Sequence, residues 1–106
     1  MGVGHGMERP ETIEELRTRL AAALPDLRRR YPILTLGVFG SWARGEQTPT
    51  SDVDLLVEFD GVVTYFDVLA LEDELQALLG VRIDLVTPGA LKRFIGERVR
   101  SELLPV

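Results

Sequence analysis

The chain has 106 residues, 17 acidic against 12 basic, and a formal net charge of −5, which suits one small domain and leaves no room for a second. It has no cysteine, so a disulfide framework, a cysteine-ligated zinc site and a thiol nucleophile are all excluded. The acidic balance argues against gripping long nucleic acid, which needs clustered Lys and Arg. No apolar run approaches the ~20 residues of a membrane span, so the chain is expected to be cytoplasmic.

Residues 1–10 carry three glycines and the single histidine, His5, without periodicity, and read as a disordered leader ahead of a domain over 11–106. Thr12 followed by Glu15 is a helix-start pattern. Ile13, Leu16, Leu20, Leu24 and Leu27 then recur at helical spacing, with Pro25 expected to kink the helix or start a new turn. Arg28, Arg29 and Arg30 close it as a solvated, dipole-complementing end. Residues 33–39 (ILTLGVF) form a first strand that runs straight into Gly40-Ser41. Trp42 to Arg44 can make one helical turn, and residues 46–51 (EQTPTS) are a loop by composition. Residues 52–59 (DVDLLVEF) are a second strand. Thr64 with Asp67 caps a helix reaching about Leu79, whose stripe is Val68, Leu71, Leu75 and Leu78, and Gly80 stops it. Residues 81–86 (VRIDLV) are a third strand. Thr87-Pro88 opens a last helix that turns Leu91, Phe94 or Ile95, Val99 and Leu103 inward and ends by Pro105.

The order α-β-(α)-β-α-β-α is an α/β (α+β) pattern: a small three-stranded mixed sheet covered by helices. The helix between the second and third strands makes that pair parallel, with a right-handed crossover. The short turn-rich link between the first and second suits an antiparallel pair.

Side chains two apart on a strand share a face. Asp52 and Asp54 therefore project together, opposite Val53, Leu55 and Val57, and Asp84 joins Arg82 and Val86 opposite Val81, Ile83 and Leu85. If these strands are neighbours in suitable register, three carboxylates meet on one patch. Such a patch repels itself, and hard divalent cations relieve the repulsion: carboxylate oxygens suit Mg²⁺, and an ion pair can clamp a phosphoryl displacement. Gly40-Ser41 supplies the complementary half, since a glycine lets backbone N–H groups approach a phosphate and the serine hydroxyl adds a donor. Arg44 can reach a phosphate or pair with Glu46. Taken singly each feature has a plain structural reading: Gly-Ser as a turn, Asp-x-Asp as a loop or cap, Asp84 as a partner for Arg82. What singles them out is the combination, with ten residues separating Gly40-Ser41 from Asp52-x-Asp54 and each element at a strand end.

The string GSWARGEQTPTSDVDLLVEF resembles the signature of the DNA polymerase β-like nucleotidyltransferase superfamily, and the short chain looks like its minimal nucleotidyltransferases. The resemblance covers residues 12–104. It implies that Asp52, Asp54 and Asp84 are catalytic and hold two Mg²⁺ ions. Gly40 and Ser41 would seat the β- and γ-phosphates of a nucleoside triphosphate, with Arg44 as a helper. An acceptor hydroxyl would attack the α-phosphorus and release pyrophosphate.

Minimal nucleotidyltransferases resemble the antitoxin half of toxin–antitoxin pairs whose partner is a HEPN-type ribonuclease. The resemblance therefore implies AMP transfer from ATP to a tyrosine hydroxyl of that toxin. Two other readings stand beside it: a non-catalytic nucleotide-binding module that neutralises a partner by docking, and the nucleotide-binding subunit of a two-component small-molecule nucleotidyltransferase. Tyr31 and Tyr65 are read as half-buried packing residues.

Overall fold

The computed structural model describes residues 9–90 and 93–106. Helix α1 (Ile13–Arg30) starts where Thr12, in extended conformation, accepts a hydrogen bond from Glu15 N through its side chain. Leu16, Leu20, Leu24 and Leu27 are its buried face. At about 1.5–3 kcal/mol per buried aliphatic side chain, that face holds the helix more firmly than local propensity does. No new turn starts at Pro25, and the helix runs on through it. Both Pro25 and Ala21, whose carbonyl loses its partner, are exposed, so water can satisfy the freed oxygen. The arginines that close α1 are exposed, as expected of a solvated end, and two of them also bond neighbouring elements. The Arg28 guanidinium donates to the carbonyls of Ile33 and Leu34 at 3.2 and 3.0 Å, and Arg30 bonds Glu74 and Asp26.

Strand β1 (Ile33–Phe39) leads through Gly40 into the short helix α2 (Ser41–Arg44), and β2 (Val53–Phe59) follows the loop. Helix α3 (Tyr65–Leu79) begins with a reciprocal cap between Thr64 and Asp67, and Gly80 ends it in the left-handed region. Its buried residues are Leu71, Leu75 and Leu79. Strand β3 (Ile83–Val86), a 3-10 turn at Pro88–Ala90, helix α4 (Arg93–Glu102) and strand β4 (Leu104–Pro105) complete the chain.

The sheet has four strands, in the order β3-β2-β1-β4, one more than the sequence indicates. Strand β1 pairs antiparallel with β2, and β2 pairs parallel with β3, as expected. The extra strand, β4, lies antiparallel to β1, with Gly37 opposite Pro105 and Val38 opposite Leu104. Two residues, one of them a proline, leave no alternation to read, and proline is tolerated because this is a sheet edge.

One sheet face carries Leu36, Val38, Val53, Leu55, Val57, Ile83 and Leu85, all buried in one cluster with the leucines of α1 and α3. The opposite face carries Asp54, Glu58 and Asp84. The other edge strand, β3, is protected by α3: Glu72 accepts from Leu85 N at 3.0 Å and Gln76 from Ile83 N at 3.1 Å. Backbone donors that would otherwise invite another strand are thereby occupied.

Of the expected leader, residues 1–8 lie outside the described residues. Pro10 is fully buried, and the Arg9 guanidinium donates to the Pro49 carbonyl. The inward places expected for Leu91, Phe94 and Ile95 fall outside the described side chains, whereas Val99 is buried. Leu103, expected on the last helix, lies just beyond its end.

Candidate active site

Three elements meet at one end of the sheet: the end of β1, the start of β2 and the start of β3. In the parallel β2–β3 ladder Asp54 stands directly opposite Asp84, on strands spaced about 4.8 Å apart. Across the other ladder Asp54 faces Phe39, so the next residue, Gly40, sits beside it. Gly40 has φ +78°, and a Cβ there would overlap Oδ2 of Asp54. Glycine is therefore required twice at this position, for its backbone conformation and for its close approach to the carboxylate.

Asp54 is half-buried. Burial foremost, then the charges of Asp84 and Asp52, pushes its carboxyl up to about 6 from an ordinary 3.8, with Arg44 opposing and Glu102 adding to the rise. Asp52 precedes β2 and is more exposed, its Oδ1 3.9 Å from Arg82 Nε. The structure thus brings Asp54 and Asp84 together and leaves Asp52 turned toward Arg82. Among the described residues no three acidic or imidazole side chains converge as a metal cage. The donor chemistry nonetheless suits a hard divalent cation: all three candidates are carboxylates, and the central one is half-buried beside the like charges of Asp84 and Asp52.

The Gly40 end carries a further acidic residue. The Gly40 N–H donates to Oε2 of Glu102 at 2.7 Å. Arg44 donates to both Glu102 oxygens, at 3.2 and 3.0 Å, and to Glu46 at 2.9 Å. Arg44 therefore pairs with Glu46, as one of its expected readings had it, and with Glu102 as well. Trp42, next to Ser41, is 1% exposed and belongs to the core, which fixes α2 on the sheet.

The model of the nucleotidyltransferase domain matches residues 20–104, a span that contains Gly40-Ser41 and all three aspartates. The chain belongs to the nucleotidyltransferase-domain family.

Among its relatives, the protein adenylyltransferase MntA of Thermococcus cleftensis is 42% identical over 95 residues, covering 90% of this chain and 96% of that one. A solved structure described as a minimal nucleotidyltransferase superposes with a TM-score of 0.78 at 41% identity, over 91% of this nucleotidyltransferase and 97% of the other chain. Two more distant structures share the fold. One is a toxin–antitoxin crystal structure with AMP-PNP, with TM-score 0.67 and 21% identity over 79% and 69% of the two chains. The other is a tri-AMPylated Shewanella oneidensis HEPN toxin in complex with MNT antitoxin, with TM-score 0.64 and 18% identity over 85% and 70%.

Glu102 is the residue that sequence reasoning misses in this nucleotidyltransferase. It lies 62 positions from Gly40, on an amphipathic helix where an acidic residue ordinarily reads as solvated surface. Only the return of the chain as β4 brings it to the site, and that strand leaves no readable pattern.

Proposed function

We infer that this nucleotidyltransferase transfers AMP from ATP to a hydroxyl, that of a tyrosine, on a HEPN-type toxin and so serves as its antitoxin. The observation that carries the reading is Asp54 in register with Asp84, with the Gly40 backbone pressed against the Asp54 carboxylate. An acidic edge beside a half-buried backbone turn suits a nucleoside triphosphate with its counter-ions. Support for the acceptor comes from the relative named a protein adenylyltransferase and from the AMPylated HEPN toxin in a structure of the same fold.

Asp52, Asp54 and Asp84 are the residues that would hold two Mg²⁺ ions. When bound, magnesium supplies charge neutralisation and activation of the attacking oxygen. The chain's own residues do the rest. The Gly40 and Ser41 N–H groups and the Ser41 hydroxyl bind the β- and γ-phosphates, and Arg44 adds a cation. Asp84 takes the proton of the acceptor hydroxyl; the only histidine, His5, lies outside the described residues. The acceptor oxygen forms its bond to the α-phosphorus as the bond to the β-phosphate oxygen breaks. Pyrophosphate departs with that electron pair. Rate is gained through positioning and charge stabilisation rather than through covalent chemistry on the enzyme.

A second reading, a docking module that neutralises its partner without chemistry, is favoured by the lack of three converging carboxylates among the described residues. One experiment separates the two. The protein is incubated with Mg²⁺, ATP labelled at the α-phosphate and a HEPN-type protein encoded beside it, then compared with Asp52→Asn and Asp54→Asn. Label on a partner tyrosine that disappears in both variants is the expected result. A tight unlabelled complex, with variants that still neutralise, would establish docking instead. Label on a small molecule would point to a two-component transferase.

A further inference from the structure

Glu102 occupies an unusual position for a carboxylate. Its side chain is 18% exposed, and it lies in a site that already holds Asp52, Asp54 and Asp84. Two donors compensate it, the Gly40 N–H at 2.7 Å and the Arg44 guanidinium at 3.0 Å. These are an N–H of the Gly-Ser turn and the cation assigned to the triphosphate in the reading above. A carboxylate presents two anionic oxygens much as a phosphate edge does, and both groups prefer the same partners, backbone N–H and guanidinium.

The backbone holds Glu102 at this place. The next residue, Leu103, packs on Gly37, where a Cβ would come within 2.8 Å of Leu103 Cδ1. Leu104 and Pro105 then pair with Val38 and Gly37, and Val106 N donates to the Leu36 carbonyl at 2.9 Å. A glycine three residues before the Gly-Ser turn thus seats the C-terminal segment and aims its last helical carboxylate at the turn. The Glu102 side chain can swing aside by rotamer change while this backbone anchor stays in place.

We propose that Glu102 is an intramolecular occupant of the triphosphate seat, displaced when nucleotide enters. The proposal rests on the nucleotidyltransferase reading above. Displacement transfers the Gly40 N–H and Arg44 from glutamate to phosphate. It also removes one negative charge from the path of a polyanion, at a site where Arg44 is shared with Glu46. The nucleotide therefore binds more weakly than the seat alone would allow, and the empty seat stays ordered.

The test compares wild type, Glu102→Gln and Glu102→Ala by calorimetric titration with a non-hydrolysable ATP analogue and Mg²⁺, with AMP as control. Amide exchange of Gly40 is followed by NMR without nucleotide. The expected result is analogue binding about tenfold tighter in Glu102→Ala, the lower end of what one charge-assisted hydrogen bond is worth. Glu102→Gln should gain less, AMP should gain less than about twofold, and the Gly40 amide should exchange faster in Glu102→Ala. Analogue binding unchanged or weaker in both variants, with melting showing them folded, overturns the proposal and leaves Glu102 a helix-end anchor. An equal gain for AMP overturns it too. If wild type and variants alike fail to bind the analogue, the nucleotidyltransferase reading itself fails, and the proposal with it.

Discussion

Replacing Asp54 by Asn should stabilise the metal-free protein while abolishing transfer. In the folded state burial and the charges of Asp84 and Asp52 raise the Asp54 carboxyl from 3.8 to about 6. Between those values the native state binds more protons than the unfolded chain, so stability falls as pH rises through that window and the loss is complete above it. About two pH units correspond to roughly 3 kcal/mol. Screening by water at a half-exposed carboxylate reduces this to roughly 1–2 kcal/mol. A neutral, nearly isosteric amide removes the cost, which for a domain of this size means a melting point about 5–10 °C higher. Urea unfolding in a chelator at pH 7.5 and pH 5 is the assay, with a gain at pH 5 expected to be roughly half that at pH 7.5. Mg²⁺ with an ATP analogue should then stabilise wild type but not the variant, narrowing or reversing the difference. An Asp54→Asn protein less stable than wild type at pH 7.5, or a gain independent of pH, would refute the electrostatic account of this edge.

Two further substitutions test how the fold positions and protects the site. Gly40→Ala forces a Cβ into a positive-φ residue and onto the Asp54 carboxylate. It should cost about 1–3 kcal/mol in urea unfolding and remove nucleotide binding altogether. Glu72→Ala frees the Leu85 N–H on the β3 edge and should cost about 1 kcal/mol in thermal melting. Light scattering should also report concentration-dependent association of this variant that wild type lacks.

The local chemistry of the sheet was legible where one pattern determined it. Alternation along 52–57 and 81–86 sorted Asp52, Asp54 and Asp84 from their buried neighbours. The helix between the two strands implied the parallel ladder that sets Asp54 opposite Asp84. Gly40 was readable as a special backbone position because the Gly-Ser pair follows an apolar strand directly. What could not be read depends on contacts between distant parts of the chain. Pro25 is harmless because its turn faces water, which depends on how α1 lies on the sheet. Strand β4 lies where Gly37 leaves space for Leu103, and that return of the chain sets Glu102 beside Gly40. The 3.9 Å approach of Asp52 to Arg82 is likewise a matter of side-chain placement, whereas strand alternation describes only the direction from which each side chain starts.

In the proposed function Asp52, Asp54 and Asp84 bind divalent cations beside a triphosphate held at Gly40 and Ser41. Crystals grown with Mn²⁺ and a non-hydrolysable ATP analogue test it most directly, because anomalous scattering locates the metal independently of the phosphates. Manganese peaks are expected within coordination distance of carboxylate oxygens from all three aspartates, with Asp52 swung away from Arg82. The terminal phosphates are expected on the Gly40 and Ser41 N–H groups. Manganese bound elsewhere, or an analogue held away from Gly40, would contradict it.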